Sequence, residues 1–328
     1  MADTPPPRSL AAALRTALGA ARRPAPDAAA ATAAPKTRHD PLREPAALRA
    51  LARQPQRFVA ALDFDGTLAD IVTDPLHATP HPGALEALAV LGRHHVRLVI
   101  VTGRPALLAV ELGSLEHIGA PVTVLGHYGA EHFDTGTRRL TRPHQHPGVT
   151  PARAELASAL ADGRFPTGVR LEDKGHSVAV HTREARDPQG AQQSLLAFLT
   201  ALAARHGLAV EGGRLVTELR PSGIDKGRAL AAYLDDLELQ EGAGGPIVLY
   251  AGDDRGDIPV FRMLAERRRN GTADAVLVHS APTDEAERVL ELADSCDVSV
   301  PGPAGVTALL TVLAEAFGAV RRPLETPS

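Results

Sequence analysis

The chain has 328 residues, 44% of them hydrophobic and 23% charged, which is enough for one large domain or a core carrying a smaller insertion. A net charge of −4 and a pI near 6.4 give no basis for a nucleic-acid partner, and a single cysteine, Cys296, excludes an internal disulfide or a cysteine-based zinc cage. No apolar run approaches the roughly 20 residues that span a bilayer, and Arg8, Arg15, Arg22 and Arg23 interrupt any secretory leader. A cytoplasmic protein with no membrane partner is therefore expected, with a core left to Ala, Val and Leu because aromatics are only 3% and Trp is absent.

Residues 1–55 are rich in Ala, Pro and Arg. Ser9–Ala21 suits an amphipathic helix with Leu10, Leu14 and Leu18 on one face. The stretch after it has too few large apolar groups to offset its ordering entropy, so a disordered tail is expected, with a partner-binding or targeting segment as the alternative. Ala46–Arg53 reads as a short helix. From Arg57 strand and helix alternate: strand Val59–Asp63, helix Pro82–His94, strand Val96–Val101, helix Ala106–Leu112, strand Pro121–Leu125. That alternation predicts a parallel sheet with helices on both faces and ligands at the carboxyl ends of the strands.

Between about 130 and 218 the pattern changes. Gly168–Lys174 and His176–His181 alternate like a half-exposed antiparallel pair, Pro188–His206 reads as a helix, and Arg214–Arg220 is another alternating strand. After Pro221 the earlier pattern returns: helix Lys226–Leu237, strand Ile247–Ala251, helix Ile258–Glu266, strand Asp274–His279 and a closing helix Gly305–Phe317. The simplest organisation is a Rossmann-like α/β core from residues 56–129 and 219–322, interrupted by an inserted α+β cap over 130–218 and followed by a tail at 323–328.

Four clusters fall at strand ends or loops of that core: Asp63/Asp65, Thr102, Lys226 and Asp253/Asp254/Asp257. Each alone also fits an ordinary capped loop or turn. Together they form a compact set of acids, one hydroxyl and one amine. Carboxylate oxygens suit a hard cation such as Mg²⁺, and phosphoryl transfer needs mainly positioning and charge stabilisation. One carboxylate can attack phosphorus and another, two residues on, can manage the proton.

LDFDGTL, VTGR, GIDKG and GDDxxxD, in this order, resemble the four motifs of the haloacid dehalogenase superfamily of phosphotransferases, over roughly residues 57–320. The resemblance implies Asp63 as nucleophile and Asp65 as general acid/base. It implies Thr102 as a phosphoryl contact, and Lys226 as the residue steadying nucleophile and phosphate. Gly103 and Arg104 join Thr102 as expected substrate contacts. Asp253 would complete a Mg²⁺ site with Asp63 and the backbone carbonyl of Asp65, with Asp254 and Asp257 as outer or variable metal partners.

DFDGTLADIVTDPLHATP, the segment Gly126–Glu131, Leu171–Lys174 with His181 and Arg183, and Thr217–Pro221 leading to Asp225–Gly227 resemble trehalose-6-phosphate phosphatases more narrowly. Glu172 and Lys174 stand at i and i+2, on one face of a strand, and with Glu218 they are expected to bind the sugar through hydrogen bonds. An exposed ion pair of little energetic worth is the simpler account of the first two. The chain departs from the family at Gly256 and Ile258-Pro259, where a Thr and an acidic pair are usual, which implies weaker outer support for the metal. The expected activity is Mg²⁺-dependent hydrolysis of trehalose 6-phosphate through an aspartyl-phosphate. The alternatives are another sugar phosphatase or phosphomutase of the superfamily, or a catalytically weak regulatory protein associating with a trehalose-phosphate synthase through residues 1–55.

Overall fold

Five consecutive apolar residues, Phe58–Leu62, form β1, and all five are buried. In the computed structural model, which describes residues 55–142, 146–213, 215–241 and 245–320, the reason is coverage on both faces. Phe58, Ala60 and Leu62 pack into one apolar cluster, and Val59 and Ala61 into a second on the opposite face. A strand buried on both faces needs no polar alternation, so its sequence is a continuous apolar run. The expected tail up to residue 54, with its helices at Ser9–Ala21 and Ala46–Arg53, and the tail at 323–328 lie outside the described residues.

β1 pairs in parallel with β2 (Arg97–Val101) on one side and with β10 (Ile247–Gly252) on the other. The sheet continues through β3 (Val122–Gly126) beyond β2, and through β11 (Asp274–Ala281) and β12 (Val298–Pro301) beyond β10, all parallel. Helices α1 (Ala84–Arg93), α2 (Ala106–Leu112) and α8 (Gly302–Val320) cover the face of Phe58, whose ring lies 5.7 Å from that of Phe317. Helices α5 (Lys226–Glu241), α6 (Ile258–Asn270) and α7 (Leu290–Ser295) cover the face of Val59 and Tyr250. No helix among the described residues is long and apolar enough to cross a membrane.

Two short strands correct the expected boundary of the insertion. β4 (Glu131–Asp134) extends the large sheet antiparallel to β3, and β5 (Arg139–Thr141) pairs antiparallel with β4, giving the order β12-β11-β10-β1-β2-β3-β4-β5. The change of pattern near residue 130 is real, but it marks an antiparallel edge of the core; the inserted unit starts after Thr141. It contains α3 (Val149–Ala161), β6 (Arg170–Asp173), β7 (Val178–His181), α4 (Pro188–His206), β8 (Leu208–Gly213) and β9 (Val216–Pro221), and so returns at Pro221. The four strands form a separate sheet in the order β6-β7-β9-β8. One face, with Val178, Val180 and Leu219, packs on Leu195, Leu199 and Leu202 of α4. The register sets Glu172, Ala179, Glu218 and Glu211 in one row across all four strands, so the other face is polar.

Because Phe58 is fully buried beside Phe317, Phe58→Ala is expected to cost about 3–5 kcal/mol in urea unfolding. Asp63 and Asp65 follow the other end of β1, so Phe58→Ala is expected to leave any chemistry expected of those acids within a few-fold in the protein that remains folded.

Candidate active site

The site begins where β1 ends. The Asp63 amide still donates to Ala251 O at 2.9 Å, so its side chain projects from the sheet at a fixed angle. Asp63 Oδ1 accepts the Phe64 amide at 2.7 Å and Oδ2 meets Lys226 Nζ at 2.9 Å. Lys226 opens α5 and is itself buried; its ammonium also donates to Asp257 Oδ1 at 2.7 Å and lies 3.8 Å from Asp254 Oδ1.

Asp257 is the centre of this arrangement. Its Oδ1 accepts from Lys226 Nζ and from the Tyr250 hydroxyl, both at 2.7 Å, and its Oδ2 accepts the amides of Asp253 and Asp254 at 2.9 and 3.0 Å. Those four bonds occupy the acceptor capacity of a carboxylate. Asp257 is wholly buried and was expected only as an outer or variable metal partner. Asp254, expected among the metal ligands, instead accepts the Gly256 amide at 2.8 Å and forms a reciprocal cap with Asp257 on the turn into α6.

Three carboxylates, those of Asp63, Asp254 and Asp257, therefore lie within 4 Å of a single ammonium, and a fourth, Asp253, adjoins Asp63 and Asp257. Burial pushes the Asp63 carboxyl well above the ordinary carboxylate range, against the pull of Lys226, and burial together with the charge of Asp63 does the same to Asp253. For Lys226 burial acts downward, but Asp257 and Asp63 more than reverse it and the ammonium is held above its usual value. Carboxylate oxygens of Asp63, Asp253 and Asp257 lie within 4.8 Å of one another, an all-oxygen set of the kind that suits a hard divalent cation. With Asp257 saturated, Asp63 and Asp253 are the two side chains left to hold it. The Asp63 loop comes very close to Asp253: at Gly66, in the left-handed region with φ +72°, a Cβ would stand 2.2 Å from Asp253 Oδ2. Ser280, on β11, holds that loop by donating to Gly66 O at 2.7 Å.

Thr102 is buried at the end of β2, where its amide donates to Leu125 O and its hydroxyl accepts the Arg104 amide at 3.1 Å. Gly103 follows it in the same loop. Arg104, expected to contact substrate, binds Asp65 instead: Nε and Nη2 each donate to one carboxylate oxygen at 2.7 Å. Asp65 is thus paired on both oxygens, although its side chain remains 40% exposed at the rim.

On the cap, Lys174 Nζ donates to Glu218 Oε2 at 2.9 Å and the Ser177 hydroxyl to Glu218 Oε1. Glu172, expected beside them, pairs with His181 at 2.7 Å, and that hydrogen bond holds its carboxyl below the ordinary range despite partial burial. The polar cap face turns onto the core. Arg220 of β9 stacks its guanidinium 4.4 Å from the centre of the Tyr128 ring, and His176 sets its ring 5.6 Å from that of His127. His127 and Tyr128 are consecutive residues with left-handed backbone, φ 48° and 59°, at roughly 1–2 kcal/mol each for a side chain with a Cβ.

A family model described as Trehalose-phosphatase matches residues 61–294. The chain belongs to the trehalose-phosphatase family. It is 35% identical to a trehalose-phosphate phosphatase of Mycobacterium tuberculosis (strain ATCC 25618 / H37Rv), over 74% of this chain and 61% of that protein. With its counterpart in Mycobacterium leprae (strain TN) it shares 34% identity, over 74% and 55%. The chain thus spans less than two thirds of the length of these curated relatives. Among solved structures, the C-terminal domain of a Candida albicans trehalose-6-phosphate phosphatase superposes with TM-score 0.64 at 21% identity, covering 82% of this chain and 95% of that one. A haloacid dehalogenase-like hydrolase from Bacteroides thetaiotaomicron gives TM-score 0.55 at 15% identity, covering 78% and 99%. At those identities the likeness is one of fold: an α/β core with a separate antiparallel cap sheet.

Sequence reasoning missed the central place of Asp257, its tie to Tyr250, the Arg104–Asp65 pair and the contact of Tyr128 with Arg220. Asp257 stands at N3 of a D-x-x-D capping box, a pattern legible in Asp254–Asp257. Tyr250 stands seven residues before Asp257, within one strand and its following turn, and the other two are contacts across distant segments, on which local spacing is silent.

The raised carboxyls set a pH test. A carboxyl whose folded pKa is raised stabilises the fold below its unfolded value, and that contribution is lost as pH rises through the folded value. Without a divalent cation this cluster should weaken the fold as pH rises from about 4 towards 8. Added Mg²⁺ should raise the melting temperature more at pH 8 than at pH 5, and calorimetry in two buffers should show protons released on binding. Asp253→Asn should abolish the Mg²⁺-induced shift, whereas Asp254→Asn should keep most of it.

Proposed function

We propose that the chain hydrolyses trehalose 6-phosphate to trehalose and phosphate. The observation carrying this reading is Asp63: a buried carboxylate at a strand end, fixed by Lys226 and facing Asp253 across an all-oxygen set, in a chain of the trehalose-phosphatase family. A Mg²⁺ ion held by Asp63 and Asp253 would supply positive charge against the phosphoryl oxygens.

The residues divide the work as follows. An Asp63 oxygen adds to phosphorus while the bond from phosphorus to the sugar oxygen breaks, and the leaving oxygen takes a proton from Asp65. Water then attacks the aspartyl-phosphate, Asp65 accepts its proton, and release of phosphate restores Asp63. Lys226 favours the ionised form of Asp63 against the effect of burial and balances the incoming charge, and the Thr102 hydroxyl orients the phosphoryl group. Asp65 must leave Arg104 to carry a proton, and its exposure at the rim gives it room to turn. On the cap, Lys174 and Glu218 offer a donor and an acceptor that are partly buried and already oriented by each other, a suitable pair for sugar hydroxyls. The substitutions at Gly256 and Ile258-Pro259 leave the network around Asp257 intact, since its partners are Lys226, Tyr250 and two backbone amides.

Asp63→Asn should reduce phosphate release from trehalose 6-phosphate below detection while the urea midpoint stays within about 1 kcal/mol or rises, because a buried charge has been removed. A panel of trehalose, sucrose and hexose phosphates tests the substrate. Trehalose 6-phosphate should show the highest kcat/KM; a hexose phosphate turned over faster would replace it as the substrate.

A further inference from the structure

Tyr128 occupies a place that the chemistry above leaves unused. Its backbone, left-handed together with that of His127, is tied to the loop after β2 by two hydrogen bonds: His127 N–H donates to Arg104 O at 2.8 Å and Tyr128 N–H to Thr102 O at 2.9 Å. A strained turn persists only where its surroundings over-determine it, and here they are the loop carrying the phosphoryl-binding hydroxyl. The Tyr128 ring lies on that same loop. A Cβ at Gly103 would stand 2.8 Å from the ring's Cζ and hydroxyl oxygen, so no side chain fits between them. A Cβ at Gly256, in the turn between Asp254 and Asp257, would lie 3.6 Å from Tyr128 Cε1 and equally far from Lys226 Cε, which places the ring beside the acid loop as well.

The cap reaches this ring through one residue. Arg220 is two positions beyond Glu218 on β9, and a strand repeats its faces every second residue, so both side chains lie on the polar face of the cap sheet. The Arg220 guanidinium stacks on Tyr128 at 4.4 Å while its Nη2 donates to Glu211 at 2.9 Å. The other guanidinium nitrogen, Nη1, is buried without a hydrogen-bond partner. The guanidinium is thus held from two sides, by Glu211 on the cap and by the Tyr128 ring on the core.

We propose that Tyr128 is a positioning residue that couples the cap to the phosphoryl-binding loop. Arg220 sets the ring from the cap side, and the ring sets Gly103, and with it Thr102, from the core side. A sugar held at Lys174 and Glu218 fixes the strand that carries Arg220, and so favours the loop geometry needed for transfer. The proposal rests on a capped sugar phosphate being the substrate and deepens that reading. It does not depend on which sugar is bound.

Four variants, Tyr128→Phe, Tyr128→Ala, Arg220→Met and the double variant Tyr128→Ala/Arg220→Met, would be assayed on the best sugar phosphate of the panel and on p-nitrophenyl phosphate, which has no sugar for the cap to hold. Arg220→Met leaves the strained turn untouched, so it keeps the test open should Tyr128→Ala not fold. Coupling energies between sites are commonly worth about 5- to 150-fold. Tyr128→Ala and Arg220→Met should each lower kcat on the sugar phosphate at least about tenfold further than on p-nitrophenyl phosphate. The double variant should be no more than about threefold worse than the poorer single one, and Tyr128→Phe should stay within about threefold of the parent. Equal losses on both substrates, losses that multiply in the double variant, or a Tyr128→Phe as impaired as Tyr128→Ala would each overturn the coupling route. A parent enzyme preferring another sugar would overturn the trehalose reading and leave this one standing.

Discussion

One buried ammonium, Lys226, holds together a site with too much negative charge to stand alone. It touches Asp63 and Asp257 directly, and Asp257 in turn fixes the amides of Asp253 and Asp254. A buried ion pair by itself is weak evidence of stability, because desolvation can exceed the attraction. The stronger point is geometric. Three segments far apart in the chain, ending at Asp63, beginning at Lys226 and turning through Asp253–Asp257, are brought to one point, and hydrogen bonds satisfy the carboxylate among them that faces no ligand. The charge left over is on Asp63 and Asp253, the two acids a cation would reach.

This separates two kinds of acid that look alike in a GDDxxxD string. Asp257 and Asp254 act on backbone: one gathers amides, the other caps a turn. Asp253 is left to face Asp63. The same division holds in the cap, where Glu218 is buried and doubly bound and Glu172 is half exposed beside His181. Two side chains on one sheet face can thus have different roles, set by what lies over that face. Over Glu218 lies the core; Glu172 stands nearer its margin.

Much of the fold was legible because its parallel strands are covered on both sides. Runs such as Phe58–Leu62 and Arg97–Val101 have no competing reading, and Asp63, Thr102 and Lys226 fall where such strands end or their return helices begin. Pro188–His206 was readable to the residue because Asp187 caps its start, proline opens it and Gly207 closes it. The antiparallel additions were harder. β4 and β5 resemble cap strands locally, and only the pairing of β4 with β3, and of β5 with β4, assigns them to the core. β8 ends in Gly212-Gly213, which reads as a loop until β9 supplies its partner. Within the site, residue types and order were readable, but the partner of each side chain was not: Arg104 met Asp65, and Glu172 met His181, through contacts set by tertiary structure.

The hydrogen bond from the Asp63 amide to Ala251 O, with the clasp of Ser280 on Gly66, also bears on when the site can exist. Asp63 is made early and its partners about 190 residues later, so at ribosomal rates of about 5–20 residues per second roughly 10–40 s separate their synthesis. During that interval β1 has β2 on one side and nothing on the other, while the intervening cap, whose own sheet and helices are complete by Pro221, can already fold. The apolar edge of β1 is therefore the segment that nascent chains must keep from mispairing, and the surroundings of Asp63 are assembled only when the last parallel strands arrive.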